Sequence, residues 1–237
     1  KELPPGRKQI KTFLMDENKR LRVFKFLKEQ IKLGRQIFIV YPLIEESQKM
    51  DYKDLMDGYE SICREFPLPK YRISVMHGKM KTEDKDYEMK RFLEGKSQIM
   101  VSTTVIEVGV NIPNANVMVI ESAERFGLSQ LHQLRGRVGR GNEQSFCILM
   151  KGKKISNDAK LRLETMTKTS DGFEIAEVDL KIRGPGDVAG TQQSGVIKLK
   201  IADLLKDQEI LQLARNYAKI LINNDPELNH EDNKNIK

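Results

Sequence analysis

Arginines alternate with glycines between Gln133 and Arg140, in the run QLRGRVGR. A guanidinium group stays charged in any protein site and binds phosphate through a planar fork of N–H donors. Glycines between arginines let the backbone approach a ligand closely. The run therefore predicts that Arg137 and Arg140 are presented to a polyphosphate, and a solvated basic surface is the alternative interpretation.

A second polar cluster follows an apolar run at residues 98–102, where Thr103 and Thr104 come next and Gly109 and Asn111 lie a few residues further on. Hydroxyl groups and backbone amides at the end of a strand bind phosphate, from a nucleotide or from a nucleic-acid backbone. The Asn111 amide can also accept a hydrogen bond from a ribose hydroxyl. The alternative is an ordinary capped loop that leads into a helix.

Five short apolar runs predict the strands that position these residues. They lie at residues 37–41, 71–76, 98–102, 117–120 and 146–150, with helices predicted at 18–33 and 82–94. Because such strands are apolar on both faces, they need helices on both sides, which predicts an α/β fold with a doubly wound parallel sheet. Ligands of these sheets bind at the carboxyl ends of the strands. The loops after those ends begin at Pro42, His77, Thr103, Glu121 and Lys151.

The pattern changes after Lys151, where predicted helices replace the alternation of strands and helices. These helices are expected at residues 157–166, 173–182 and 201–222. The run Arg183-Gly184-Pro185-Gly186 interrupts them, because glycine and proline break helices. We therefore place a domain boundary near residue 152, with an α/β domain over residues 1–152 and a mostly helical region over residues 153–237.

Charge and composition narrow the classes of partner. The chain has 237 residues and a formal net charge of +7, and a basic protein of this kind suits an anionic partner such as nucleic acid. The two cysteines, Cys63 and Cys147, and the three scattered histidines have no spacing that predicts a metal site or a disulfide framework, so we expect neither. A reducing cytoplasm is the compartment that this cysteine usage predicts. No apolar run approaches the length that crosses a bilayer, so no membrane partner is expected.

The order of these segments resembles that of superfamily 2 helicases. Three segments are similar to motifs IV, V and VI of that superfamily, at residues 37–46, 101–113 and 133–140. The run SAERFGLSQLHQ at residues 122–133 narrows the resemblance to the RecG family. Residues 179–195 resemble the TRG segment, which that family shares with the transcription–repair coupling factor. The resemblance extends from about Leu3 to about residue 225, and it implies a RecA-like sheet followed by a TRG helical hairpin, loop and C-terminal helix.

The resemblance implies a role for each candidate residue. The catalytic residues, expected to reach the γ-phosphate of ATP, are Arg137 and Arg140. The residues expected near the nucleotide are Gln133, Gly109 and Asn111. The residues expected to contact DNA are Thr103, Thr104, His77 and Gly78. The residues expected to couple motor closure to DNA movement are Arg183 and Gln193. The family usually has aspartate at the position of Asn111 and arginine at that of Gln192.

The implied function is that of the C-terminal motor half of an ATP-dependent DNA helicase that remodels branched DNA, such as stalled forks and Holliday junctions. The sequence has no phosphate-binding loop and no acidic Mg²⁺ motif. The ATP and Mg²⁺ site is therefore expected to be completed by an absent N-terminal motor domain, with a wedge domain further upstream, and the fragment to be inactive alone. The implied protein is a monomer of the bacterial cytoplasm, associated with the nucleoid. The alternatives are a transcription–repair coupling translocase, against which Gly184-Pro185-Gly186 argues, and a stand-alone nucleic-acid binding module.

Overall fold

One six-stranded parallel sheet organises the computed structural model, which describes residues 8–42, 48–103, 112, 114–183, 208–225, 230 and 233. The strands are β1 (Lys11–Asp16), β2 (Gln36–Tyr41), β3 (Ile73–Met76), β4 (Ile99–Thr103), β5 (Ala115–Ile120) and β6 (Phe146–Lys151). Their order across the sheet is β1-β6-β5-β2-β4-β3, and every neighbouring pair is parallel. Every residue of β2, β4 and β5 is buried, which accounts for their continuous apolar sequences.

Helices cover both faces of this sheet. The α-helices of the described residues are α1 (Arg20–Lys32), α2 (Gln48–Glu65), α3 (Thr82–Leu93), α4 (Leu128–Arg135), α5 (Asn157–Lys168), α6 (Gly172–Arg183) and α7 (Gln208–Asn224), and those of the two core clusters cover the sheet. One core cluster joins Phe38 and Val40 of β2 to buried side chains of α3, α4 and α5. The other joins Ile37 and Ile39 of the same strand to α1 and α2. The alternation of β2 side chains between the two clusters confirms the predicted α/β sheet with helices on both faces.

The sequence patterns find five of the six strands, with ends that shift by one or two residues. The missed strand is β1, which pairs only with β6 at the edge of the sheet and has no buried residue. Its sequence, KTFLMD, mixes charged, polar and apolar residues, because an edge strand does not need apolar side chains on both faces. The patterns also miss α2, whose buried apolar side chains Leu55 and Ile62 are separated by polar residues and Gly58.

The described residues form two compact units, over residues 1–179 and 180–237. Helix α5 belongs to the first unit, because its residues Ala159, Leu163 and Met166 are buried in or beside the core of the sheet domain. The boundary near residue 152 stays a prediction, and the contacts extend the first unit beyond it. In the second unit, the predicted helix at 201–222 is found as α7 from Gln208, and its earlier residues lie outside the described part. Among the described residues, no helix combines the length and apolarity that a bilayer crossing requires.

A buried arginine ties α4 to α5. Arg135, the last residue of α4, is 4% exposed. Its guanidinium group donates to the backbone carbonyls of Met166 and Thr169, both at 2.9 Å, where α5 ends. A further nitrogen lies 3.1 Å from Nδ1 of His132. Met166 lies in the last turn of α5, where its carbonyl has no intrahelical donor, and Thr169 directly follows the helix. The cation satisfies both carbonyls and stabilises the negative end of the helix dipole.

We predict that Arg135→Met destabilises the folded chain by about 2–4 kcal/mol, because it leaves two carbonyl groups of α5 without their charged donor. Urea unfolding followed by circular dichroism measures the change in the free energy of unfolding. The matched control is Arg22→Met on the exposed side of α1, which is expected to stay within about 0.5 kcal/mol of the wild type. Equal stabilities of the two variants would contradict a structural role for Arg135.

Candidate functional site

The sequence-predicted site residues lie at opposite ends of the parallel strands. We call the side where the strands end the carboxyl edge, and the side where they begin the amino edge. Thr103, His77 and Gly78 lie at the carboxyl ends of β4 and β3. Arg137 and Arg140 follow α4, which runs back from the carboxyl end of β5 towards the amino end of β6. The rule that ligands bind at the carboxyl ends of parallel strands therefore covers the predicted DNA contacts and does not cover the two arginines.

At the carboxyl edge, Thr103 ends β4 and is paired in register with Tyr41 of β2. It is 3% exposed, and its hydroxyl has no hydrogen-bond partner among the described residues. The cause is its position within a strand that is buried on both faces. The hydroxyl of Thr103 therefore does not face solvent in this structure, and its contact with DNA stays a prediction.

The turn after β3 presents a basic surface. Gly78 is exposed, and its carbonyl accepts a hydrogen bond from Nζ of Lys85 at 3.2 Å. Burial, and then the charges of Lys79 and Lys85, lower the pKa of His77 below its ordinary value of 6.5. The imidazole is therefore neutral at pH 7 beside two ammonium groups. This arrangement suits a phosphate, which the cations attract and the exposed backbone of Gly78 can approach.

An ion pair at the same edge was not among the sequence predictions. Arg20, the first residue of α1, donates two hydrogen bonds to the carboxylate of Glu121, at 2.6 and 2.8 Å. Glu121 is buried, and its backbone N–H donates to the carbonyl of Val40 at 2.8 Å. Burial, followed by the Glu121 charge, raises the pKa of the neighbouring Tyr41. The pair fixes the start of α1 to the ends of β2 and β5. An acidic residue directly after an apolar strand is the signal that identifies such a position.

Two residues anchor the loop that carries the predicted catalytic arginines. Val138 is buried in the core cluster beside α4. Gly139 has a φ of +79°, in the left-handed region that favours glycine. A Cβ atom built on Gly139 would lie 3.0 Å from a side-chain carbon of Ile10, so the packing also leaves no room for a larger residue at this position. Because Arg137 and Arg140 flank this anchor, their backbone positions are fixed.

Helix α4 sorts the polar side chains of this segment. Leu128, Leu131 and Leu134 are buried, and Gln133 is exposed. Arg137 and Arg140 have intermediate exposure, so neither is buried like Arg135 and neither faces fully open solvent. The arginine that the sequence prediction left without a role is thus the structural one, and the two that it singled out are those whose side chains reach the surface.

The remaining candidate residues belong to segments outside the described part of the chain. Thr104, Gly109, Asn111 and Gln193 lie outside the described residues, and so do the Gly-Pro-Gly run and Gln192. Arg183 ends α6, and its side chain is likewise outside the described part. Within the described ranges, no three His, Cys, Asp or Glu residues form a group that could hold a metal ion.

Two family models match the chain. The model described as "Helicase conserved C-terminal domain" matches residues 18–142, which include the sheet from α1 through β5 and the arginine run. The model described as "ATP-dependent DNA helicase RecG, domain 3, C-terminal" matches residues 169–237. The segment between the two matched ranges contains β6 and α5.

Curated relatives and a solved structure agree with both models. "ATP-dependent DNA helicase RecG" of Synechocystis is 47% identical over 100% of this chain and 28% of the relative. The RecG protein of Bacillus subtilis is 49% identical over 94% of the chain and 33% of the relative. A structure of RecG bound to a three-way DNA junction superposes with a TM-score of 0.68 and 45% identity, over 89% of this chain and 27% of that one. The chain thus spans about a third or less of the length of these relatives. It belongs to the helicase conserved C-terminal domain family, and it is similar to RecG proteins along its whole length.

Proposed function

We propose that this chain is the C-terminal motor half of an ATP-dependent DNA helicase that remodels branched DNA, such as stalled forks and Holliday junctions. In this proposal it supplies one side of the ATP site, through its arginine run, and a TRG element that couples motor closure to DNA movement. RecG relatives three times longer than the chain support the proposal, as does the solved RecG complex with a three-way DNA junction.

The observation that carries the proposal is the fixed placement of Arg137 and Arg140. They lie on either side of the buried Val138 and the left-handed Gly139, and their side chains reach the surface. Guanidinium groups held on a rigid loop suit the γ-phosphate of ATP, since they stabilise charge that develops on a transferred phosphoryl group. Gln133, exposed one turn earlier on α4, would help to orient the same groups.

The nucleotide is expected to bind between this domain and another. The hydrolysis of ATP supplies the free energy for movement, and the role of this chain is to position donors toward the phosphates. Gly109 and Asn111 are proposed to contribute at the nucleotide. The chain has no phosphate-binding loop, and we assign no Mg²⁺ ligand to its described residues, so an N-terminal motor domain would provide both.

DNA is proposed to meet the carboxyl edge of the sheet. His77, Gly78, Thr103 and Thr104 are the proposed backbone contacts, and the lysines beside His77 supply positive charge there. Arg183 and Gln193 are proposed to transmit closure of the motor to the DNA. A wedge domain upstream would read the junction, in a monomeric protein of the bacterial cytoplasm and nucleoid. The relatives named RecG favour this function over a transcription-coupled translocase.

In the full-length protein, Arg140→Ala is expected to lower DNA-stimulated ATP hydrolysis by about 10³–10⁵-fold, because the substitution removes a cation from the developing phosphoryl charge. Steady-state phosphate release measures the rate, and a junction-binding assay should show little change. The matched control, Arg22→Ala on the exposed side of α1, is expected to retain the activity. Survival of hydrolysis in Arg140→Ala would overturn the catalytic role.

The 237-residue chain alone is expected to release no phosphate from ATP above background, with or without branched DNA. The physical reason is that its arginines complete a site whose phosphate-binding residues are elsewhere. The same phosphate-release assay tests this, with the full-length protein as the positive control. Substantial turnover by the isolated chain would show that the proposed division of the ATP site is wrong.

Binding of a short duplex by the chain is expected to strengthen about two- to fivefold between pH 7.5 and pH 5.5, because an added imidazolium gains one exposed ion pair with phosphate. The lowered pKa of His77 makes it neutral at the higher pH, and it gains charge only as the pH falls below 6.5. Fluorescence anisotropy measures the affinity. The His77→Gln variant should lose this increase in affinity. The control variant His230→Gln, at an exposed histidine, should keep it. An increase that persists in His77→Gln would show that His77 does not contact the DNA.

A further inference from the structure

A basic groove lies at the amino edge of the sheet, away from every residue assigned above. It encloses about 600 Å³ between the turn that precedes β3 and the C-terminal half of α3. Four cationic side chains line it, those of Arg72, Lys90, Arg91 and Lys96, with a single carboxylate, that of Glu94. The groove therefore carries a clear excess of positive charge.

Two of these cations are already paired, and two are available to a ligand. Arg91 donates to the carboxylate of Glu88 at 2.8 and 3.1 Å, and Lys96 lies 2.6 Å from Glu94. Arg72 and Lys90 form no ion pair with a carboxylate of the described residues, and both are exposed. They supply the charge in the groove that the fold does not neutralise.

The lining of the groove includes an aromatic ring that is open to solvent. Tyr87 is 63% exposed, and Leu68 beside the groove is 75% exposed. The guanidinium carbon of Arg91 lies 5.8 Å from the centre of the Tyr87 ring, and Glu88 holds this guanidinium group in place. The ring is thus supported by a cation while its exposed area can accept a flat apolar group.

The backbone under the groove is rigid. The N–H of Arg72 donates to Oε1 of Gln98 at 2.9 Å, and the N–H of Gln98 donates to the carbonyl of Arg72 at 2.9 Å. Below α3, the side-chain amide of Gln36 donates to the carbonyls of Phe92 and Ser97. These bonds fix the two walls relative to each other, so the charged and aromatic groups are positioned before any ligand arrives.

We propose that this groove binds single-stranded DNA, with phosphates on Arg72 and Lys90 and a base stacked on Tyr87. A cationic groove with an exposed aromatic ring is the arrangement by which proteins hold single strands without reading their sequence. The groove lies at the amino end of β3, whereas His77 lies at the carboxyl end of the same strand. Four strand spacings, roughly 20 Å, separate β3 from β6, and the loop that carries Arg137 and Arg140 lies directly before β6.

The proposal rests on the proposed action on branched DNA, since remodelling a junction exposes single strands. An acidic peptide is the competing occupant, because carboxylates would also pair with Arg72 and Lys90. Stacking separates the two ligands: a base needs the ring of Tyr87, and an acidic side chain does not.

The test measures binding of a labelled twelve-residue oligothymidylate to the 237-residue chain, by fluorescence anisotropy over a series of salt concentrations. For Arg72→Ala with Lys90→Ala, we expect an affinity loss of at least about fivefold and a decrease of about 1.4 in the steepness of the logarithmic salt dependence, for two lost phosphate contacts at about 0.7 each. For Tyr87→Ala we expect a loss of at least about fivefold, and for Tyr87→Phe an affinity near the wild type, because phenylalanine keeps the ring.

The matched control is Arg22→Ala with Lys32→Ala, an equal change of charge on exposed positions of α1, which should leave the salt dependence unchanged. Thermal unfolding of each variant checks that it folds. The groove assignment is overturned if its variants match this control. It is also overturned if they lose affinity for a glutamate-rich peptide and keep affinity for the oligonucleotide.

Photocrosslinking with an iododeoxyuridine oligonucleotide gives an independent result: an adduct on the peptide that contains Tyr87 supports the groove, and adducts on the His77 turn alone contradict it. Neither result changes the outcome of the Arg140→Ala assay, so the two proposals fail separately.

Discussion

Burial of the parallel sheet on both faces is the constraint on which the rest of the molecule depends. Every residue of β2, β4 and β5 is buried, so the middle of the sheet has no surface on which polar chemistry can be placed. Functional side chains must therefore lie beyond the strand ends, and a parallel sheet has two sets of ends with different geometry. The turn at His77 belongs to one set and the arginine loop to the other.

The two edges differ in how their polar groups are satisfied. At the amino edge, buried side chains bond one another or the backbone: Gln36 bonds two carbonyls, Ser74 bonds Ser97, and Asn116 bonds Ser145. At the carboxyl edge, Glu121 is paired with Arg20, but the buried hydroxyls of Ser102 and Thr103 have no hydrogen-bond partner among the described residues. Satisfied polar groups make a rigid platform, so the amino edge is the better foundation for groups that must be positioned in advance.

The sequence predicts the fold well because burial on both faces leaves a simple trace. A continuous apolar run, such as the one at residues 37–41, is required wherever helices cover both sides of a strand, and it is visible without any structure. The edge strand β1 is missed because the physical requirement is absent there. Within the site, sequence identifies the arginine run and cannot sort its members. Arg135 and Arg137 differ by two positions, and only the packing of α4 on α5 shows that the first is buried. Arg20 and Glu121 are far apart in sequence, so their ion pair depends on the sheet order.

The close approach of Ile10 to Gly139 connects the loop that carries Arg137 and Arg140 to the segment that precedes β1. Ile10 directly precedes β1, and its side chain fills the space that any larger residue at position 139 would need. Nearby, the side-chain amide of Gln144 donates to the carbonyl of Gln9 at 2.8 Å, which holds the same two segments together. A tension applied along the backbone ahead of β1 would thus reach the loop directly, without passing through the sheet. A shift of Gln9 or Ile10 would therefore displace the backbone that positions Arg140.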